Sequence, residues 1–152
     1  MKSYVAIDAV VGWGEVRTPT FAGISLFLLG FASSPQPTAL RTNHTPLMGA
    51  ALFAEYSDVI NRTDIFKNCH LSQNERNELL DIFLACCRWT EIYYGWRPNL
   101  KDEGDNHLIE LAVAGHAQCI VSRNLKDLKS GELLFPDISI ISLETFLQGD
   151  KP

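Results

Sequence analysis

The stretch that decides the fold is RPNLKDEGDNHLIELAVA, residues 97–114. Its first half is polar and acidic, with Asp102, Glu103 and Asp105. Its second half runs into Gly115 with Leu108, Leu111, Ala112 and Gly115 at i, i+3, i+4 and i+7, the spacing of a helix. At about 100° per residue, Asp105 shares a face with Leu108, Ile109 and Ala112, and Asp102 lies one turn earlier on that side. Both acids are thus predicted to point along the buried face. An inward carboxylate needs a partner, because an unpaired buried charge is costly. A helix N-terminus favours negative charge, and a bound cation favours it more. The plainer expectation is a cap at Asp102 and a first-turn acid at Asp105. The functional reading gains ground only if other acids reach the same place.

Working outward, the chain after Gly115 turns into Cys119-Ile120-Val121-Ser122, a short buried strand with Arg123-Asn124 at its end. Leu125–Leu128 reads as one helical turn, Ile138–Ile141 as a last strand, and Ser142 as the cap of a short helix through Leu143, Phe146 and Leu147. On the other side, Trp89–Tyr94 is aromatic and β-branched and reads as a strand, whose alternate residues are expected in the core. Ser72-Gln73-Asn74-Glu75 is a capping box that opens a helix banded by Leu79, Leu80, Phe83, Leu84 and Cys87. Gly49–Asn61 reads as a helix with Met48, Ala51, Leu52, Glu55 and Val59 on one face. Glu55 is therefore a second acid on an inward face, or else a partner of Arg62 or Arg76. Tyr4–Ile7 is a first strand that ends at Asp8. Residues 12–45 show no clean period, and no Asp, Glu or Lys occurs between Glu15 and Glu55.

Composition narrows the function classes. The chain has 152 residues, 46% of them hydrophobic and 20% charged, as in an ordinary globular domain with a real core. A net charge of -5 and a pI near 5.3 leave no broad basic footprint for duplex DNA. A nucleic acid would have to be held by metal ions and a local patch. The four cysteines, Cys69, Cys86, Cys87 and Cys119, lack zinc-site spacing and read as free thiols of a reducing cytoplasm. The apolar run Phe21–Ala32 is too short to span a bilayer.

Short apolar strands alternating with helices indicate α/β architecture: three layers, α/β/α, around a mostly parallel sheet. Ligands of such sheets bind beyond the strand C-termini. Asp8, Asn124 and the loop with Asp102 and Asp105 all fall at that edge, and Glu55 reaches it from a flanking helix.

Four segments resemble the PIN domain, the fold of many toxin–antitoxin ribonucleases of the VapC-like kind. PLMGAALFAEYSDVINR resembles the family's helix with its acid, here Glu55. WRPNLKDEGDNHLIELAVA resembles the segment carrying the later acids, here Asp102 and Asp105. AQCIVSRNLKDL is similar to the family's strand and polar turn, and ISIISLETFL to its closing strand and helix. Residues 46–147 match well and 1–45 are atypical, within a single domain over 1–152. The family opens on a strand ending Asp-Thr-Asn, whereas Asp8 is followed by Ala9 and Val10.

The resemblance implies a Mg²⁺- or Mn²⁺-dependent ribonuclease that hydrolyses RNA phosphodiesters. Asp8, Glu55 and Asp105 would be the catalytic metal ligands, with Asp102 as an additional one. Ser122 and Asn124 would hold carboxylates or water, and Arg123 and Lys126, with Lys129 near them, would meet the phosphate backbone. It also implies an antitoxin partner; an apolar surface of Trp89, Tyr93, Tyr94 and Trp96 would serve such a partner or a homodimer, and no membrane partner is expected of so short an apolar run. The departure after Asp8 raises the alternative of a PIN-like domain that binds RNA or a protein without cleaving. A third reading is an unrelated α/β module whose acids are only caps and surface residues.

Overall fold

A computed structural model describes residues 3–7, 44–63, 66, 69, 71–97 and 99–148. Asp8, the run 21–32 and the rest of 8–43 lie outside the described residues. In chain order the elements are β1 (Ser3–Ile7), β2 (His44–Met48), α1 (Ala50–Asn61), α2 (Gln73–Cys86), β3 (Arg88–Trp89), a 3-10 turn (Glu103–Asp105), α3 (Asn106–Ala114), β4 (Cys119–Val121), α4 (Leu125–Leu128), β5 (Ser139–Ile141) and α5 (Leu143–Gln148). The strands form one sheet in the order β3-β2-β1-β4-β5. Every pairing is parallel, with Ala6 opposite Leu47 on one side and Ile120 on the other.

The period of two along β1 and β4 builds the layers. Ala6 and Ile120 face one side, where they join Leu52, Tyr56, Phe83, Leu108 and Leu111 from α1, α2 and α3. Val5, Ile7, Cys119 and Val121 face the other, against Leu143 and Phe146 of α5. Helices therefore cover both faces, as the near-continuous apolar strands require. Pro46 is tolerated in β2 because β3 pairs only with Leu47 and Met48. At Pro46 the strand is flanked, among the described residues, by β1 alone, a position that needs no second donor.

The helices follow their sequence signals. In α2, Ser72 Oγ accepts from Glu75 N at 3.3 Å and Ser72 N donates to Glu75 Oε2 at 2.7 Å, completing the predicted capping box. In α1 the buried stripe is Leu52, Tyr56, Val59 and Ile60, at i, i+4, i+7 and i+8. That stripe is turned slightly from the predicted one: Ala51 is exposed and Glu55 sits at its edge. The Tyr56 and Phe83 rings lie 5.4 Å apart, and each such ring stabilises the fold by about 1.5–3 kcal/mol on burial. At the end of α3, Ala117 N donates to Ala112 O (2.8 Å) and His116 N to Val113 O (3.2 Å), with His116 left-handed at φ 54. This closing turn feeds β4 directly. A Cβ on Gly115 would sit 2.2 Å from Leu47 Cδ1 and 3.1 Å from Leu111 O, so a larger residue here would force the buried Leu47 side chain to move.

One expectation is corrected. The strand predicted over Trp89–Tyr94 is reduced to Arg88–Trp89. Its partner β2 ends at Met48, whose carbonyl takes Thr90 N at 2.8 Å, and beyond that residues 91–97 have no strand to pair with among the described residues. Trp89, Tyr93 and Tyr94 are exposed rather than core, Tyr93 at 88%. The segment is anchored instead by Glu110 of α3. That carboxylate, 6% exposed, accepts from Trp96 N (3.1 Å) and from Arg97 Nε (3.0 Å). In return, the hydrogen bond and charge of Glu110 raise the already high Arg97 pKa.

Candidate functional site

In a parallel sheet all strand C-termini share one edge. The chain winds from β1 outward through β2 to β3 and later returns to place β4 on the other flank of β1. The β1/β4 boundary is therefore the switch point, where α/β sheets open a crevice. Ile7 and Val121, the last residues of those strands, are register partners there.

Three elements bring polar side chains to this edge. The first is the turn after β4. Ser122 is buried, and its Oγ accepts from Asn124 N at 2.9 Å. This fixes Asn124, whose Nδ2 donates to Asp105 Oδ2 at 3.0 Å. The second is the 3-10 turn and the start of α3, which packs on β1, β2 and β4. Asp105 is half-buried at the N-terminal boundary of α3, where the helix dipole favours its charge. Behind it, Asn106 Oδ1 accepts from Leu100 N at 2.9 Å. His107 is buried, and its Nδ1 lies 2.6 Å from Gly104 O. A carbonyl only accepts, so Nδ1 donates, and Nε2 is buried without a hydrogen-bond partner among the described residues. The third element is α1. Tyr56 donates its hydroxyl hydrogen to Ile7 O at 3.3 Å, which pins α1 to the end of β1, the residue before Asp8. The neighbouring Glu55 is 31% exposed and places Oε1 at 3.4 Å from His107 Nε2.

The predicted residues thus separate. Asp105 is joined to Asn124 and through it to Ser122, while Glu55 approaches the start of α3 at His107. Asp102 does not point inward; it is exposed, and its Oδ1 accepts from Gly104 N at 2.9 Å as the cap of the 3-10 turn. Arg62 and Arg76, the cations expected to neutralise Glu55, are engaged elsewhere. Arg62 pairs with Asp58, and Arg76 donates to Leu71 O and lies over the Phe66 ring. Arg123 is half-buried, while Lys126 and Lys129 are exposed. Glu144 is held below the usual carboxylate range by hydrogen bonds from its own backbone and Ser142, with Arg123 adding to the effect.

Sequence reasoning missed His107, Asn106 and Glu110. All three are buried on a helix whose residues from Asn106 to Ala112 are all buried. The available signal was the presence of three polar residues on an otherwise apolar helix.

Among the described residues no three His, Cys, Asp or Glu side chains form a metal-holding group. Two carboxylates do fit one in part. Glu55 Oε2 is buried with no hydrogen-bond partner among the described residues. Burying such an atom without a donor is unfavourable, so it suits a cation. Oxygen donors alone favour Mg²⁺ or Mn²⁺, which use few carboxylates and keep water.

These features define an α/β domain with two partly buried carboxylates, Glu55 and Asp105, near its switch point. The sequence profile of the PIN domain family matches residues 37–126, more than half of the chain, and the chain belongs to that family. The fold is similar to a chain in the crystal structure of VapBC2 from Rickettsia felis bound to a DNA fragment from their promoter. The TM-score is 0.52 at 13% identity, over 91% of this chain and 98% of that one, a likeness of fold alone. No curated protein matches the chain.

Proposed function

We propose that this PIN domain is a Mg²⁺- or Mn²⁺-dependent endoribonuclease, the toxin component of a toxin–antitoxin pair. The observation that carries the reading is the buried, unpartnered Oε2 of Glu55 beside the turn that bears Asp105. Asp8, Glu55 and Asp105 would hold the ion directly or through water, and Asp102, at the mouth, would be an additional ligand. A bound ion supplies Lewis acidity toward the phosphate and a water of lowered pKa.

The chain's own residues do the rest. Asn124 holds the Asp105 carboxylate in one orientation, and Ser122 holds Asn124. Arg123 and Lys126, at the C-terminal end of β4, meet the phosphate backbone. In an acidic chain these acids repel RNA until a cation neutralises them, so cleavage requires metal. The partners on this reading are RNA, an antitoxin and a second copy of the chain. The kinship in fold with VapBC2 supports the antitoxin.

The test is cleavage of a single-stranded RNA with Mn²⁺ or Mg²⁺ by wild type and Asp105→Asn. Loss of cleavage in the variant supports the assignment, and equal rates remove it. The residues Ala9 and Val10 after Asp8 favour a second reading, a PIN domain that binds without cutting. Measurable Mn²⁺ binding by wild type decides against that one.

A further inference from the structure

We propose that residues 89–95 are the docking edge for a second copy of the chain, which lays its own residues 89–95 alongside them and joins the two sheets. This goes beyond the reading above, in which the second copy has no assigned surface, and it depends on neither metal nor cleavage. The backbone is the first support. β3 is an edge strand of the sheet among the described residues. Trp89 is the register partner of Met48, and Thr90 N donates to Met48 O. In a parallel ladder that arrangement turns the N–H and C=O of Trp89 away from β2. Beyond it, the backbone of residues 91–95 makes no hydrogen bond among the described residues, and the next donor in use is Trp96 N, held by Glu110. Open edges are normally blunted by proline, bulges or charges. Residues 89–95 contain no proline and one charge, Glu91, and their composition is that of a strand.

The side chains are the second support. Trp89, Tyr93 and Tyr94 are 53%, 88% and 66% exposed, and Phe53 of α1, 37% exposed, meets Trp89 with ring centroids 6.1 Å apart. At about 150–250 Å² per aromatic side chain, these four rings expose on the order of 500 Å². A stable interface buries about 800 Å² per partner. The rings thus supply more than half of it as an apolar core, and the paired backbone and polar rim supply the rest. The third support is that the segment complements itself. Antiparallel pairing about a two-fold axis at Ile92 bonds residue 89 to 95 and 91 to 93, in phase with the outward groups of Trp89. Each Glu91 then faces the second copy's Tyr93, the same carboxylate and hydroxyl that bond within one chain. The two Glu91 charges stay apart. Such an interface closes at two copies.

The experiment is sedimentation velocity of the metal-free protein between about 1 and about 100 μM, for wild type, Glu91→Pro, Tyr94→Lys and Asn74→Lys. Proline at 91 removes an N–H that the chain does not itself use. Lysine at 94 puts a charge among the rings. Asn74, exposed at the start of α2, controls for the added charge. Amide exchange over residues 89–95 is followed by mass spectrometry at both ends of the concentration range. The expected result is a wild-type dimer in the micromolar range, unchanged in Asn74→Lys and weakened at least tenfold in Glu91→Pro and in Tyr94→Lys. Exchange over residues 89–95 should slow at least tenfold in the dimer.

Wild type that stays monomeric throughout the range overturns this inference and leaves the nuclease reading standing. So does a dimer whose affinity stays within twofold in both Glu91→Pro and Tyr94→Lys, or one whose residues 89–95 exchange as fast as in the monomer. Slowing of that exchange only once single-stranded RNA is added also overturns it. Where either variant fails to fold, the exchange of wild type decides.

Discussion

Asn106→Ala tests whether the acidic turn is held by one buried amide. Asn106 is 1% exposed, and its Oδ1 takes the N–H of Leu100, itself 4% exposed, at 2.9 Å. Truncation leaves that N–H buried without an acceptor, which costs about 1–3 kcal/mol. It also removes Asn106 Nδ2, which has no hydrogen-bond partner among the described residues and is already unfavourable. That relief offsets on the order of 1 kcal/mol. The lost contacts of the amide in a closely packed site act the other way. A net loss of about 2 kcal/mol follows, or about 4–8 °C in Tm for a domain of this size. Equilibrium urea unfolding read beside a thermal melt measures it, with exposed Asn74→Ala on α2 as the control. Because Asn106 lies between Asp105 and His107, its loss should also weaken Mn²⁺ binding. A change below about 0.5 kcal/mol, the ordinary range for surface substitutions, would refute the reasoning.

Two further outcomes follow from the caps and the thiols. Ser72→Ala should destabilise the protein by about 1 kcal/mol near neutral pH, read by urea unfolding. Hydrogen bonds from Ser72 hold the Glu75 carboxyl below its ordinary pKa, so this contribution is complete above the unfolded glutamate value. The part that depends on the carboxylate fades as pH falls below about 4, so the gap between wild type and variant should narrow there to what Ser72 Oγ contributes by accepting from Glu75 N. Burial pushes the thiols of Cys87 and Cys119 up to about 12 and about 11, with Cys86 adding to the rise at Cys87. At pH 8 both should resist iodoacetamide in the folded protein and react once urea is added. Mass spectrometry of the peptides checks it, and rapid native labelling of both would contradict it.

How far the sequence carried these conclusions differs by element. The α2 capping box, the turn at Leu125–Leu128 and the Ser142 cap were legible because each depends on residues within a few positions of one another. The strand predicted over Trp89–Tyr94 failed because β-propensity describes a side chain suited to a half-buried sheet, and whether a sheet is present is a tertiary matter. β2 stops at Met48, so the aromatic run has no strand to pair with among the described residues. Helical phase placed Asp102 inward, but a 3-10 turn precedes α3 and rotates it out into a cap. Asp105 lies where that turn becomes α3, half-buried and held by Asn124. Polar residues are mostly exposed by default, which hid His107 and Glu110. Their partners, Glu55 and the Trp96–Arg97 segment, are distant in the chain. Residues 12–45 gave no period to read, and Asp8 lies outside the described residues.

The central claim is that Glu55 and Asp105 share one divalent cation. Calorimetric titration of Mn²⁺ into wild type, Glu55→Gln and Asp105→Asn tests it most directly. The account predicts binding by wild type and at least a tenfold weaker affinity in each variant. Equal affinity in all three, or no binding by wild type, would contradict it.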